Sequence, residues 1–399
     1  MSEVFIGRQP VLDRDMHVFA YELQFHLGLN PNKQTIEATS ELIKKTEDTI
    51  GFKSVVGNHA AMLHLPKELI SKDCIPEFNP ENEMVLEIPN NITKDIDVLR
   101  NLKELKAEGS TIAIDDFIDD ESSVRLATIS DYVKVDIEAH SEIKLKKILE
   151  DLHSKGIKVI AEKVETEEMF LYLKKLGFDF FQGYFFTNPV IINGHKLSGN
   201  KLTLLQLLAK VNDPNTDFDE LSAIISQDVA LSHKLLVAIN NPATMIPVRV
   251  EKVSDALKYM GLKRLKFWVN MLMLSSMDEV PQELLTTSLM RAKFCELLAE
   301  SSGEVQNKDS YFLVGLFSSL SAFFRVPVDE IVSEIPLSDD LKSALVNREG
   351  QMGEALKILN SLELANTNLS QLEYSGLGIG ELGNSFMAAN AWAQQVITS

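Results

Sequence analysis

Between residues 84 and 186, short apolar, β-branched runs alternate with amphipathic helical patterns. The runs are "MVLEIP", "TIAIDDF", "DYVKVDI", "KVIAEKV" and "FFQGYFF"; the patterns include "DIDVLRNLKELKAEG", "SEIKLKKILEDLHSKG" and "TEEMFLYLKKLG". Gly109, Gly156 and Gly177 stand just past these patterns, where a left-handed residue ends a helix. Strand, helix, glycine, strand at a spacing of about 25 residues predicts parallel βα units. Upstream, "VFIGRQPVL" and "HVFAYELQF", joined by Asp13-Arg14-Asp15, read as a hairpin, and "AMLHLP" as a further strand. Roughly eight strands in so short a stretch predict a (β/α) barrel with an antiparallel start rather than an open sheet.

Past "NGHKLSGNK" (193–201), a polar linker candidate, nearly every segment has helical periodicity and prolines fall between the segments. The expected organisation is therefore α/β plus all-α, with a barrel over 1–197 and a helical domain over 198–399. The chain has 399 residues, 45% of them apolar, enough for two such cores. No apolar run approaches the roughly 20 residues of a membrane helix, and the N-terminus carries no signal-like apolar stretch. Cys74 and Cys295 are the only cysteines. These features predict a cytoplasmic protein without membrane insertion. A net charge of −19 opposes nucleic acid in bulk. The one basic stretch is Arg249, Lys252, Lys258, Lys263, Arg264 and Lys266.

In a βα barrel the C-terminal ends of the strands form the active face. Glu22, His64, Glu87, the adjacent Asp115 and Asp116, Lys134, Asp136, Glu162 and Gln182 all fall at or near such ends. Carboxylates converging from several strands suit a hard divalent cation, with the lysine balancing charge. Ion pairs closing the barrel mouth are the plainer alternative.

Six motifs in order make residues 3 to 192 similar to the EAL domain of bacterial cyclic di-GMP signalling. "YELQFH" falls where that family writes E-A-L-x-R, "VLEIPN" at E-[IL]-T-E, and "IAIDDFIDD" at D-D-F-G-T-G. "VKVD", "IAEKVET" and "FFQGYFFTNP" follow near K-[IL]-D, A-E-G-V-E-T and Q-G-Y-x-[FL]-x-x-P. The resemblance implies a TIM-like barrel whose first strand is antiparallel, and an activity that opens cyclic di-GMP to linear pGpG with two metal ions. It places Glu22, Glu87, Asp115 and Asp116 as metal ligands, with His64 in the place of an asparagine ligand. It makes Lys134 and Glu162 the catalytic lysine and acid. Gln182 matches a late glutamine, and His26 stands where an arginine approaches a ligand phosphate.

Several positions depart from that pattern. An imidazole at His64 favours Zn²⁺- or Mn²⁺-like ions over Mg²⁺. His26 lacks the bidentate guanidinium. Asn90 replaces an acid that in the family holds the loop after the aspartate pair. In that loop Ile118-Asp119-Asp120 replace Gly-Thr-Gly, so two anions are expected to face the ligand. Lys163 replaces a glycine.

The helical half resembles the HDOD domain, a relative of HD phosphohydrolases, through "SQDVALSHKLLVAINNP" and "VSDALKYMGLKRLK". Ser318-Ser319 stand where such an enzyme carries its His-Asp pair, and no histidine follows His233. A methionine cluster, Met245, Met260, Met271, Met273, Met277 and Met290, reads as core, and Trp268 in "FWVNMLML" as buried. The resemblance as a whole implies a non-catalytic signalling adaptor in motility or surface attachment. It would bind a protein partner through the helical domain, with the basic stretch as the docking charge. Binding of cyclic di-GMP is expected to be weak or absent, and a homo-oligomer is compatible. No cofactor is required, and a divalent ion (Mg, Mn or Zn) is the one the barrel would take. An active phosphodiesterase and a cyclic di-GMP receptor are the alternatives.

Overall fold

The computed structural model describes residues 4–27, 52–65, 70, 83–94, 96–187, 199–213, 215–227, 229–240, 249–275, 277, 280–364 and 372–398. Cys74 and residues 193–198 of the linker candidate lie outside them, and its last three residues, Gly199 to Lys201, already belong to a helix. The chain divides into two compact units: residues 1–190 with 360–394, and residues 191–359 with 395–399.

Eight strands close a barrel in sequence order: β1 (Val4–Asp13), β2 (Val18–Leu27), β3 (Ala60–His64), β4 (Met84–Pro89), β5 (Thr111–Asp115), β6 (Tyr132–Asp136), β7 (Lys158–Glu162) and β8 (Phe180–Gln182). β1 is antiparallel to both β2 and β8, and the other pairings are parallel. The hairpin read from the sequence is therefore present: Asp13 Oδ1 accepts from the backbone N–H of Asp15 and His17. Inside the barrel Val11, Ala20, Ala60, Met62, Val85, Ala113, Ile160 and Phe180 form one buried cluster. Ile112 and Ile114, which flank Ala113, are also buried. A strand covered on both faces gives an unbroken apolar run, and this is why β5 reads as "TIAID" rather than as an alternation.

Helices Ile96–Ala107, Glu121–Ala127, Glu142–Ser154 and Glu167–Leu176 follow β4 to β7. Gly109, Gly156 and Gly177 all have positive φ, as expected of residues ending helices. Gly183 is needed for a different reason. Its φ is 145°, and a Cβ there would lie 2.0 Å from the carbonyl oxygen of Val164. That oxygen belongs to backbone fixed by the Val164 N–H to Gln182 carbonyl bond of 3.0 Å. Gly183→Ala is expected to cost more than ~3 kcal/mol of stability; chemical denaturation of the full chain measures it.

The C-terminal stretch 360–394, expected in the helical domain, groups with the barrel. The helix Ile379–Thr398 brings Gln394 into a buried hydrogen bond, its Nε2 donating to the Tyr21 hydroxyl at 3.3 Å. Tyr21 in turn lies under the Arg8 guanidinium at 4.3 Å, and Arg8 donates to the Val55 carbonyl at 2.7 Å.

The second unit is helical, with helices at Gly199–Asn212, Phe218–Gln227, Val229–Ile239, Val253–Ser275, Gln282–Ser301, Lys308–Phe317 and onward. Of the methionine cluster, Met271, Met273 and Met290 are core residues, Met277 is half-buried, and the side chains of Met245 and Met260 lie outside the described residues. Trp268 is half-buried, against the expectation of full burial. The buried side chains of that segment are Val269 to Leu274, and buried Asn270 exchanges amide hydrogen bonds with Asn212. Ser318 and Ser319 sit in packed helix ends. Ser318 Oγ donates to the Gly315 carbonyl at 2.7 Å, and Ser319 accepts from Arg291 at 3.2 Å. No single helix among the described residues is long and apolar enough to cross a membrane.

Candidate active site

The strand ends converge on one side chain. Lys134 enters from the middle of β6, is 1% exposed, and places its ammonium among four carboxylates. Its Nζ lies 2.7 Å from Glu22, 2.9 Å from Glu87, 3.1 Å from Glu162 and 3.4 Å from Asp115. These acids come from β2, β4, β7 and β5, so the closure of the barrel is what assembles them. Gln182 at the end of β8 is buried and donates through Nε2 to Glu22 and, at 2.9 Å, to Gln9 Oε1. Gln9 stands opposite Glu22 in the β1–β2 register. Sequence reading passed over Gln9 because a single polar residue on an edge of the hairpin carries no signal until β1 meets β8.

Four acids around one ammonium leave an excess of buried negative charge, and the acids divide it unequally. Burial pushes Glu22 up, but the charge and hydrogen bond of Lys134 outweigh it and hold Glu22 below the usual carboxylate range. Asp115 is likewise raised by burial and lowered further by His64 and Lys134, ending far below its ordinary value. Burial, with the charge of Glu22, carries Glu87 well above the usual range. Burial raises Glu162 to about 7. Lys134 loses by burial and gains more from its four carboxylates, so it stays charged.

Both Glu87 oxygens are buried without a hydrogen bond. Their nearest positive charge is the Lys134 ammonium, an ion pair at 2.9 Å. A fully buried carboxylate with unsatisfied lone pairs, in a cluster with surplus negative charge, fits a divalent cation. Among the described residues no three acids or imidazoles already stand in a ligating arrangement; the acids turn to Lys134 instead.

The structure places the remaining sequence candidates around this cluster. His64, at the exposed end of β3, has Nδ1 3.5 Å from Asp115 Oδ2. Asp116 is exposed and left-handed, with φ of 50°, and its N–H donates to Asp115 Oδ1 at 3.0 Å. That backbone conformation costs a residue with a Cβ about 1–2 kcal/mol. Lys163, after Glu162, is also left-handed (φ 60°), and its ammonium pairs with Asp136 at 2.5 Å. His26 pairs in register with Phe5 on β1, and its side chain lies outside the described residues.

Asp119 and Asp120 do not stand as the free anions expected of them. Asp119 pairs with Lys144. Asp120 is the N-cap of Glu121–Ala127, accepting from the Ser123 N–H and hydroxyl, each at 2.8 Å. The basic stretch of the helical unit is also changed. Lys266 donates to the Asp213 carbonyl at 3.0 Å, Arg249 and Lys252 are exposed, and the side chains of Lys258, Lys263 and Arg264 lie outside the described residues.

The EAL domain family matches residues 59–189 and the HDOD domain family residues 201–332. The chain is similar to the cyclic di-GMP phosphodiesterase CdgJ of Vibrio cholerae, with 30% identity over 99% of this chain and 94% of that protein. It is also similar to YuxH of Bacillus subtilis, with 27% identity over 99% of both chains. Among solved structures, the PaMucR phosphodiesterase in complex with c-di-GMP aligns with 19% identity and a TM-score of 0.39, over 45% of this chain and 94% of that one. With the barrel, the helical unit and a relative matched over nearly its whole length, the chain belongs to the family of proteins that join an EAL domain to an HDOD domain.

Proposed function

We propose that this protein is a metal-dependent cyclic di-GMP phosphodiesterase. The observation that carries the reading is the buried cluster of Glu22, Glu87, Asp115 and Glu162 around Lys134, with Glu87 unsatisfied. The name of its Vibrio cholerae relative supports the substrate. The engagement of Asp119 and Asp120 supports it too, since it removes the anions that argued against a dinucleotide.

Glu22, Glu87 and Asp115, with Asp116 and His64 at the rim, would hold the divalent ions. Such ions supply polarisation of a phosphoryl oxygen and offset the charge of the pentavalent transition state. Lys134 fixes the carboxylates and adds its own positive charge. Glu162, poised at about 7 by burial, accepts a proton from water as the water oxygen attacks phosphorus. The ester P–O bond breaks, its oxygen takes a proton, and the ring opens to a linear dinucleotide.

Full-length protein with Mn²⁺ is expected to convert cyclic di-GMP to the linear form. A chelator should stop turnover. The rate should rise with pH through an inflection near 7, and Glu162→Gln should remove that inflection along with most of the rate. Absence of product at all metal concentrations would sink the reading.

A second reading, a non-catalytic adaptor that binds a protein through its helical domain, is favoured by one observation: Lys134 already fills the point on which the acids converge. It expects no turnover, and it expects the full chain to retain a protein partner that surface substitutions in the helical unit release and Glu87→Gln does not.

A further inference from the structure

Asp116 is a non-glycine residue in the left-handed region, in a loop, Asp115–Asp120, that contains no glycine. Something must hold that backbone where it is. Phe117 is one anchor: its ring is buried and its N–H reaches the Lys134 carbonyl at 3.3 Å. The Asp120 N–H to Ile118 carbonyl bond of 2.7 Å and the Asp120 cap on Ser123 are local to the loop and its own helix. Asp119 makes a second tie to another element, this one through its side chain. Its carboxylate, 20% exposed, pairs with the ammonium of Lys144, in the first turn of the helix that follows the next strand. Asn90, just past β4, is buried with its Oδ1 making no hydrogen bond.

We propose that Lys144 is a positioning residue for the Asp115–Asp116 pair, holding the loop through Asp119 so that both carboxylates stay at the mouth of the barrel. The exposed Ile118 and Ile143, 58% and 83% exposed, flank the two members of this ion pair in sequence. The lock therefore sits at the surface, where salt can screen it, and not in the core. The inference rests on the reading of the strand-end acids as a divalent-cation site, and it extends that reading to a residue outside the acids.

The test uses the full chain as wild type, Lys144→Met, Asp119→Asn and the exchanged pair Asp119→Lys with Lys144→Asp. Two quantities are read: hydrogen exchange of amides 116–120 without metal or nucleotide, and Mn²⁺ affinity by calorimetry. Lys144→Met and Asp119→Asn should each speed exchange at Phe117 and Asp120 about fivefold, leaving the helix Glu142–Ser154 unchanged. Each should weaken Mn²⁺ binding ~10-fold. The exchanged pair should restore both. Unchanged exchange in the loop, faster exchange spread through the helix, or failure of the exchanged pair to restore the loop would each overturn the proposal. If wild type takes up no Mn²⁺, the proposed function falls, and the exchange measurement still decides whether Lys144 holds the loop.

Discussion

Lys134→Met is expected to lose both turnover and much of the barrel's stability. The variant leaves Glu22, Glu87, Asp115 and Glu162 in a buried cluster with no cation among them. Removing one partner of a buried charge pair typically costs about 3–5 kcal/mol, most of it the stranded charge. Turnover should fall by about 10³-fold, in the range expected when a positioned charge is taken from a transition state. The stability loss should depend on pH. Without Lys134 the buried carboxyls hold their protons more tightly in the folded than in the unfolded chain, so folding favours low pH and weakens as pH rises. In the wild type, Glu162 already behaves in this way between its unfolded value near 4.3 and about 7. Glu22 and Asp115, held low, act in the opposite sense and lose their contribution as pH falls. Urea denaturation at pH 5.5 and pH 8 should show the larger deficit at pH 8. A deficit that is the same at both would mean that the carboxyls are not coupled to Lys134.

Glu87→Gln should separate stability from activity. Glu87 is held well above the usual carboxylate range, so its charged form works against the fold at neutral pH. A glutamine of the same shape removes that charge and leaves Lys134 with three carboxylates. Stability at pH 8 should rise by about 1 kcal/mol, and the fall of stability with pH should become shallower. The same change removes the buried carboxylate oxygens that make no hydrogen bond and that are proposed to hold a divalent ion. Activity should drop by about 10³-fold while the melting temperature climbs, the trade expected where a site is built at the expense of the fold. A purely structural cluster would show the stability gain and no functional cost.

The barrel was legible because its strands are covered on both faces and therefore leave unbroken apolar runs such as "TIAID", while glycines mark where each helix stops. The acids were legible because a charged residue at the end of such a run has few reasons to be there. Their arrangement was not. Nothing in the sequence says that Lys134 becomes the hub of four carboxylates, because that depends on strand order and tilt. Asp119 was misread for a related reason: its partner, Lys144, lies 25 positions away and meets it only when two βα units pack side by side. Asp120 could have been read correctly, since Asp-Glu-Ser-Ser before an amphipathic run is a helix start. The helix Ile379–Thr398 was legible as a helix, but its periodicity carries no label for what it packs against. The hydrogen bond from Gln394 to Tyr21 supplies that. Trp268 reads as core from an apolar run alone, yet burial in its helix passes from Leu265 to Val269 and leaves Trp268 half-exposed.

The most direct measurement is the rate of cyclic di-GMP hydrolysis by full-length wild type and Glu87→Gln, side by side with Mn²⁺ at pH 8. The account expects linear dinucleotide from the wild type, and about 10³-fold less from a variant at least as stable. Equal rates from the two proteins, or no linear product from a folded, Mn²⁺-saturated wild type, would contradict it.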